Sequence, residues 1–179
     1  MEQTIRIPPN TLVVLCGPAG AGKSTFAAQH FKPTQIVASD RCRALISDSE
    51  SNFRINRDTF DLFHFIIQKR LQLGRLTVAD STALYAFARA PLLEMAQQAD
   101  FSTCLIVFNV AFDICWQRAQ QRARSIPIDV IAQQCGLFQY TKQDIQSEEW
   151  DQIYELGADV TGVRFVRQKR SVPSHQEPM

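Results

Sequence analysis

The chain has 179 residues, 45% of them hydrophobic and 21% charged, a length that suits one domain able to bury a substantial core. Its 19 Lys and Arg against 18 Asp and Glu leave a net charge of +1, so bulk charge draws in no polyanion and any nucleic-acid contact must come from a local basic patch. No apolar run approaches the roughly 18 residues of a membrane span, and the start MEQTIRIPPN does not read as a signal peptide; a soluble, cytoplasmic protein with no membrane partner is expected. Cys16, Cys42, Cys104, Cys115 and Cys135 form an odd set without a CxxC pair, which fits reduced, buried thiols in a cytosolic protein.

In chain order, the first predicted strand spans residues 11–16, around the apolar run Leu12, Val13, Val14 and Leu15. Residues 17–24 follow as GPAGAGKS and satisfy the pattern GxxxxGKS, and residues 25–30 continue as a helix. In that setting Gly17, Pro18, Ala19, Gly20, Ala21 and Gly22 make a turn whose main-chain N–H groups can wrap nucleotide phosphates at the positive end of a helix dipole. Lys23 would reach the β- and γ-phosphates, Ser24 would ligate magnesium, and Thr25 follows in the first helical turn. ATP and Mg2+ are therefore the expected cofactors. A tight turn of small residues is the alternative.

The second predicted strand, residues 35–38, leads into Asp40, and the third, residues 76–79, into Asp80. Ligands of open α/β sheets sit beyond the carboxyl ends of the strands. A carboxylate there can take the proton of an attacking hydroxyl or hold magnesium through water. A helix N-cap is the alternative for Asp40, and a turn for Asp80. Arg43, three residues after Asp40, shares its helical face and could clamp an acceptor phosphate; a local ion pair is its alternative.

The longest predicted helix, residues 57–73, spaces Phe60, Phe63, Ile67 and Leu71 along one face, and Gly74 ends it. A further helix is expected at residues 91–98, with Pro91 in its first turn or at a kink if the helix begins earlier. The fourth strand, residues 104–109, precedes an amphipathic stretch from Phe112 to about Arg122. Residues 118–127 carry Arg118, Arg122 and Arg124 before a proline, the makings of a lid that brings cations to a transferring phosphoryl group, or else a solvated basic face. The fifth strand is expected at residues 163–166, and the polar tail 168–179 reads as disordered. Phe53, Phe60, Phe63 and Phe65 read as core or helix packing in preference to a base-stacking platform. The three histidines are scattered and no zinc-site spacing occurs, which leaves magnesium as the metal to expect.

Taken in order and spacing, GPAGAGKSTFA, SDRCRALISD, GRLTVADST, APLLEMA and IVFNV with ICWQRAQQR resemble the kinase domain of bacterial polynucleotide kinase-phosphatase, one of the polynucleotide 5′-hydroxyl kinases. The similarity covers about residues 11–124. It implies a P-loop NTPase three-layer α/β fold with a mostly parallel five-stranded sheet and a helical lid, forming one kinase domain over residues 1–167. It also implies that Lys23 and Ser24 bind ATP and magnesium, and that Asp40 is the general base for the 5′-hydroxyl of an RNA or DNA end. Arg43 would grip the neighbouring acceptor phosphate, with Asp80 as a second acceptor-binding residue, and Arg118 and Arg122 would be lid arginines on the donor phosphates. Two segments depart from the family pattern: Ala83, Leu84, Tyr85 and Ala86 stand where polar or basic residues are usual, and Val130, Ile131 and Ala132 stand in a helix that is usually basic. Both changes remove groups that hold a polynucleotide. A small-molecule kinase and an ATP-binding module without transfer are therefore the competing readings.

Overall fold

The structure is a computed structural model that describes residues 3–121 and 126–168. Within them the chain runs β1 (Gln3–Ile7), β2 (Thr11–Cys16), α1 (Lys23–His30), β3 (Ile36–Ala38), α2 (Ser39–Ser47), α3 (Asn56–Gln72) and β4 (Thr77–Asp80). It continues through α4 (Ala86–Gln98), β5 (Ser102–Phe108), α5 (Phe112–Gln120), α6 (Ile128–Ile145), β6 (Gln152–Leu156) and β7 (Val163–Arg167).

The apolar run of β2 becomes the centre of the molecule because both of its faces find partners. Leu12, Val14 and Cys16 pack with Phe63, Ile67 and Leu71 of α3, Leu92 of α4 and Phe138 of α6. Val13 and Leu15 point the other way, toward Phe26 and Ala27 of α1 and Cys115 and Ala119 of α5. Parallel strands need crossovers that place helices over the sheet, and the result is a three-layer α/β fold. The sheet has the order β3-β4-β2-β5-β6, and every pairing in it is parallel.

Four of the five expected strands coincide with β2, β3, β4 and β5 to within two residues. The fifth does not. Residues 163–166 do form a strand, β7, but it pairs with β1 in a separate two-stranded ribbon, and the fifth place in the sheet belongs to β6. β6 reads QIYEL, with only Leu156 fully buried, so it lacks the apolar run that betrays a central strand. The ribbon is held by alternation instead: Ile5 and Ile7 are buried while Arg6 between them is exposed. α4 begins at Ala86, five residues before Pro91, which therefore lies inside the helix. Lacking an N–H, Pro91 leaves the helical bond to the Phe87 carbonyl unmade.

Register aligns the strand ends that matter. Leu15 stands opposite both Asp80 and Ile106, and Ala38 stands opposite Asp80. The residues that follow β2, β3 and β4 thus emerge side by side at one edge of the sheet. No helix of the described residues is long and apolar enough to cross a membrane. All five cysteines are free thiols, four of them buried.

Candidate active site

The turn between β2 and α1 owes its shape to glycine at two positions. Gly20 has φ 81° and Gly22 has φ 101°, in the left-handed region that L side chains rarely enter. A Cβ on Gly20 would also collide with the main-chain carbonyl of Cys115 in α5, so the turn lies directly on that helix. Lys23 is buried and donates from Nζ to the carbonyls of Gly17 and Pro18, each at 2.8 Å. The ammonium therefore already sits inside the turn. The first-turn N–H groups of an α-helix have no intrahelical acceptor, and in α1 these lie beside Ser24, which opens on the cleft described below. Main-chain N–H groups, one ammonium and one hydroxyl are the donor set a magnesium-bound triphosphate requires, and the residues present fit that group.

Asp40 stands in the first turn of α2, where the helix dipole favours a carboxylate. It is not the N-cap, which is Ala38. Its side chain is 51% exposed and accepts a 2.5 Å hydrogen bond from Nη1 of Arg43 one turn on. Arg43 is itself buried, and its guanidinium also donates to the Glu50 carbonyl at 3.2 Å and to Oδ1 of Asn56 at 3.1 Å. It lies 4.8 Å from the Phe53 ring centroid, a cation–π contact. Nε of Arg43 is buried with no hydrogen-bond partner among the described residues. The local ion pair thus exists, and it holds one oxygen of the Asp40 carboxylate.

Asp80 ends β4, buried, and opens the loop into α4. That loop is tied to the phosphate turn, since Gly17 donates its N–H to the Thr82 carbonyl at 2.9 Å. It is also tied to the core by Arg89, which sequence reasoning missed. Arg89 is fully buried in α4, and Nη1 donates to the Ala83 carbonyl at 2.7 Å. Nε and Nη2 donate to the carboxylate of Glu148, at 2.6 to 3.0 Å, and Trp150 adds an indole N–H bond to the same carboxylate at 2.8 Å. Ala83 has φ 46°, so this network fixes a strained bend at the cleft. The partners are 59 residues apart, and no spacing signal connects them.

Lys23, Ser24, Asp40, Arg43 and Asp80 all line one cleft of about 670 Å3. The aromatic expectation needs correction here. Phe63 is core and Phe60 packs against it as expected, but Phe60 also lines the cleft with Phe53, joined by Tyr85 and Phe87. From α6 the cleft receives Val130 and Gln134, and Gln134 accepts a 2.7 Å bond from the Ala19 N–H.

Arg118 lies elsewhere. It donates to the Ala21 carbonyl at 3.3 Å and the Ala158 carbonyl at 2.7 Å, and lines a second, adjoining pocket with Gly22, Thr25 and Val160. Arg122 and Arg124 fall outside the described residues. Among the described residues no cluster of His, Cys, Asp and Glu could hold a metal ion without a bound ligand.

Residues 12–141 match the family described as AAA domain. The chain belongs to that family. No curated protein matches this AAA domain. Among solved structures it is similar to a chain of the Pnkp1/Rnl/Hen1 RNA repair complex, with 21% identity and a TM-score of 0.64, covering 77% of this chain but 47% of that one. It is also similar to the APS kinase CysC of Mycobacterium tuberculosis in complex with AMPPNP and APS, at 14% identity and a TM-score of 0.54, covering 87% and 92% of the two chains. A gluconokinase from Sinorhizobium meliloti 1021 gives 13% identity and a TM-score of 0.54, covering 87% of both chains. The AAA domain therefore spans about half the length of the RNA-repair chain, and these likenesses establish a P-loop kinase-like fold.

Proposed function

We propose that this AAA domain transfers the γ-phosphoryl group of ATP to an alcohol. One observation carries the reading: the phosphate turn with Lys23 and Ser24 opens on the same cleft as an accessible carboxylate, Asp40, and a buried one, Asp80. A switch or binding module needs the phosphate turn and a carboxylate such as Asp80 for the metal; the accessible second carboxylate, Asp40, in the same cleft is what transfer adds.

In the transfer, the acceptor oxygen bonds to the γ-phosphorus while the bond to the β,γ-bridging oxygen breaks and ADP leaves. The acceptor proton passes to the Asp40 carboxylate, which Arg43 holds in place. Lys23 exchanges the Gly17 and Pro18 carbonyls for the β- and γ-phosphates, so the loop pays little reorganisation for binding. Ser24 would hold Mg2+, with Asp80 available through water, and the ion would supply positive charge against the phosphates. The second pocket, with Arg118 on its wall, suits the remainder of the donor nucleotide. In this reading Arg118 serves the donor, toward its base side.

For the acceptor, the motif resemblance favours the 5′-hydroxyl of an RNA or DNA end, and the likeness to a chain of an RNA repair complex supports it. Small-molecule transfer is favoured by a different observation: Val130 and Ala83 present apolar groups to the cleft at the two segments that depart from the polynucleotide pattern. Incubation with γ-labelled ATP, magnesium and a 5′-hydroxyl oligonucleotide or a metabolite extract tests the reading. Label on any alcohol, lost in Lys23→Ala, is the expected result. Nucleotide binding with no transfer to either would reduce the protein to a binding module.

A further inference from the structure

Beyond the phosphate turn and the two aspartates, the cleft changes character. Phe53 and Phe60 reach it from the α3 side, and Tyr85 and Phe87 reach it from the loop and first turn of α4. Three of these rings are unusually exposed for their type, at 57% for Phe53, 46% for Tyr85 and 74% for Phe87. Large aromatic side chains gathered around one opening mark a binding surface more often than a packing accident. Tyr85 and Phe87 are stacked with centroids 5.0 Å apart and planes 18° from parallel, and Phe53 rests on the Arg43 guanidinium. Both groups are thereby held as flat platforms.

Charge decides what such platforms would take. Among the described residues the cleft is lined by three carboxylates, Asp40, Asp61 and Asp80, and three cations, Lys23, Arg43 and Arg57. Lys23 belongs to the phosphate turn, and Arg43 already serves Asp40, Glu50 and Asn56. Burial pushes the His64 imidazole below its ordinary pKa, against the opposing pull of Asp61, and so disfavours its charged form. A groove that follows a nucleic-acid backbone combines stacking with a run of cations; among the described residues this one has the stacking and, past Arg43, Arg57.

We infer that the acceptor is a small, planar, aromatic or heteroaromatic alcohol with little negative charge, its ring stacked on Phe53 and on the Tyr85–Phe87 pair while its hydroxyl reaches Asp40. The inference rests on the phosphotransferase reading above and narrows its acceptor. Nucleosides and simple aryl alcohols share this chemistry, and both belong in the test.

The protein loaded with AMPPNP and magnesium is titrated with adenosine, uridine, benzyl alcohol, gluconate and a 5′-hydroxyl decanucleotide by calorimetry, and each is then offered as acceptor with γ-labelled ATP. Binding of a nucleoside or benzyl alcohol, with label on it where transfer occurs, is the expected result. In Phe87→Ala and Tyr85→Ala, Kd or KM for that compound should rise about tenfold, with ATP affinity unchanged and with Phe87→Trp restoring most of the loss. Both side chains are exposed, so neither truncation threatens folding. Transfer to gluconate or the decanucleotide alone, or aromatic-ring binding indifferent to both truncations, overturns the inference and leaves the phosphotransferase standing. ATP binding with none of the ring compounds bound also overturns it. A wild-type protein that fails to bind ATP at all removes the phosphotransferase reading itself.

Discussion

Asp40 and Arg43 sit one helical turn apart, and the proposed chemistry asks different things of them. The carboxylate must meet a hydroxyl, so Asp40→Asn should lower the transfer rate by 100-fold or more while leaving the ATP Kd within twofold, as read by calorimetry and by labelled transfer. The guanidinium, with four contacts of its own, orients that carboxylate. Arg43→Ala should therefore weaken acceptor binding and slow transfer with ATP affinity intact; an unchanged acceptor KM would confine Arg43 to a structural role. The cysteines give a pH prediction of known sign. Burial pushes the Cys16 thiol up to about 11, against the opposing pull of Arg89 and Lys23, and the Cys104 thiol up to about 12. A raised pKa keeps a thiol protonated at pH 8, so neither should react with a thiol-exchange reagent in the native protein, and half-buried Cys135 should react first. Rapid labelling of Cys16 in mass spectra would contradict the closed sheet around it.

Three elements meet where Arg89 of α4 reaches Glu148 beyond α6 and the Ala83 carbonyl in the loop after β4. Removing one partner of a buried ion pair strands the other charge, at a cost of about 3 kcal/mol. Glu148→Ala should lose about that much stability in urea unfolding followed by tryptophan fluorescence, and Glu148→Gln less, since the amide oxygen still accepts. The same variant should raise the acceptor KM more than the ATP Kd, because the strained bend at Ala83 borders the acceptor half of the cleft. On the donor side, Gly20→Ala strains φ 81° and drives a methyl into the Cys115 carbonyl. Nucleotide binding should fall at least tenfold in calorimetry, and urea unfolding should show a lower midpoint, because the atoms in the way are main chain of α5.

At the scale of the molecule, a net charge of +1 and a cleft balanced in charge among the described residues set the salt response. With a weakly charged acceptor, KM should change by less than about threefold between 50 and 200 mM salt, whereas binding through several phosphates would weaken by orders of magnitude; steady-state kinetics at the two salt levels separate the two. The same scale shows where local reading ends. The β2 strand, the phosphate turn, α3 and the two aspartates after strands were legible in the sequence, because glycine geometry, apolar runs and helical spacing are properties of neighbours along the chain. The fifth strand of the sheet was not: β6 is a half-solvated edge with polar residues in it, and β7 looked the better strand until its partner proved to be β1. Nor were the Arg89–Glu148 pair, the seat of Arg118 beside Ala158, and the turning of Phe53 and Phe60 toward the cleft. Each depends on which distant segment packs alongside, and that is settled by burial and pairing in three dimensions, where spacing along the chain carries no information.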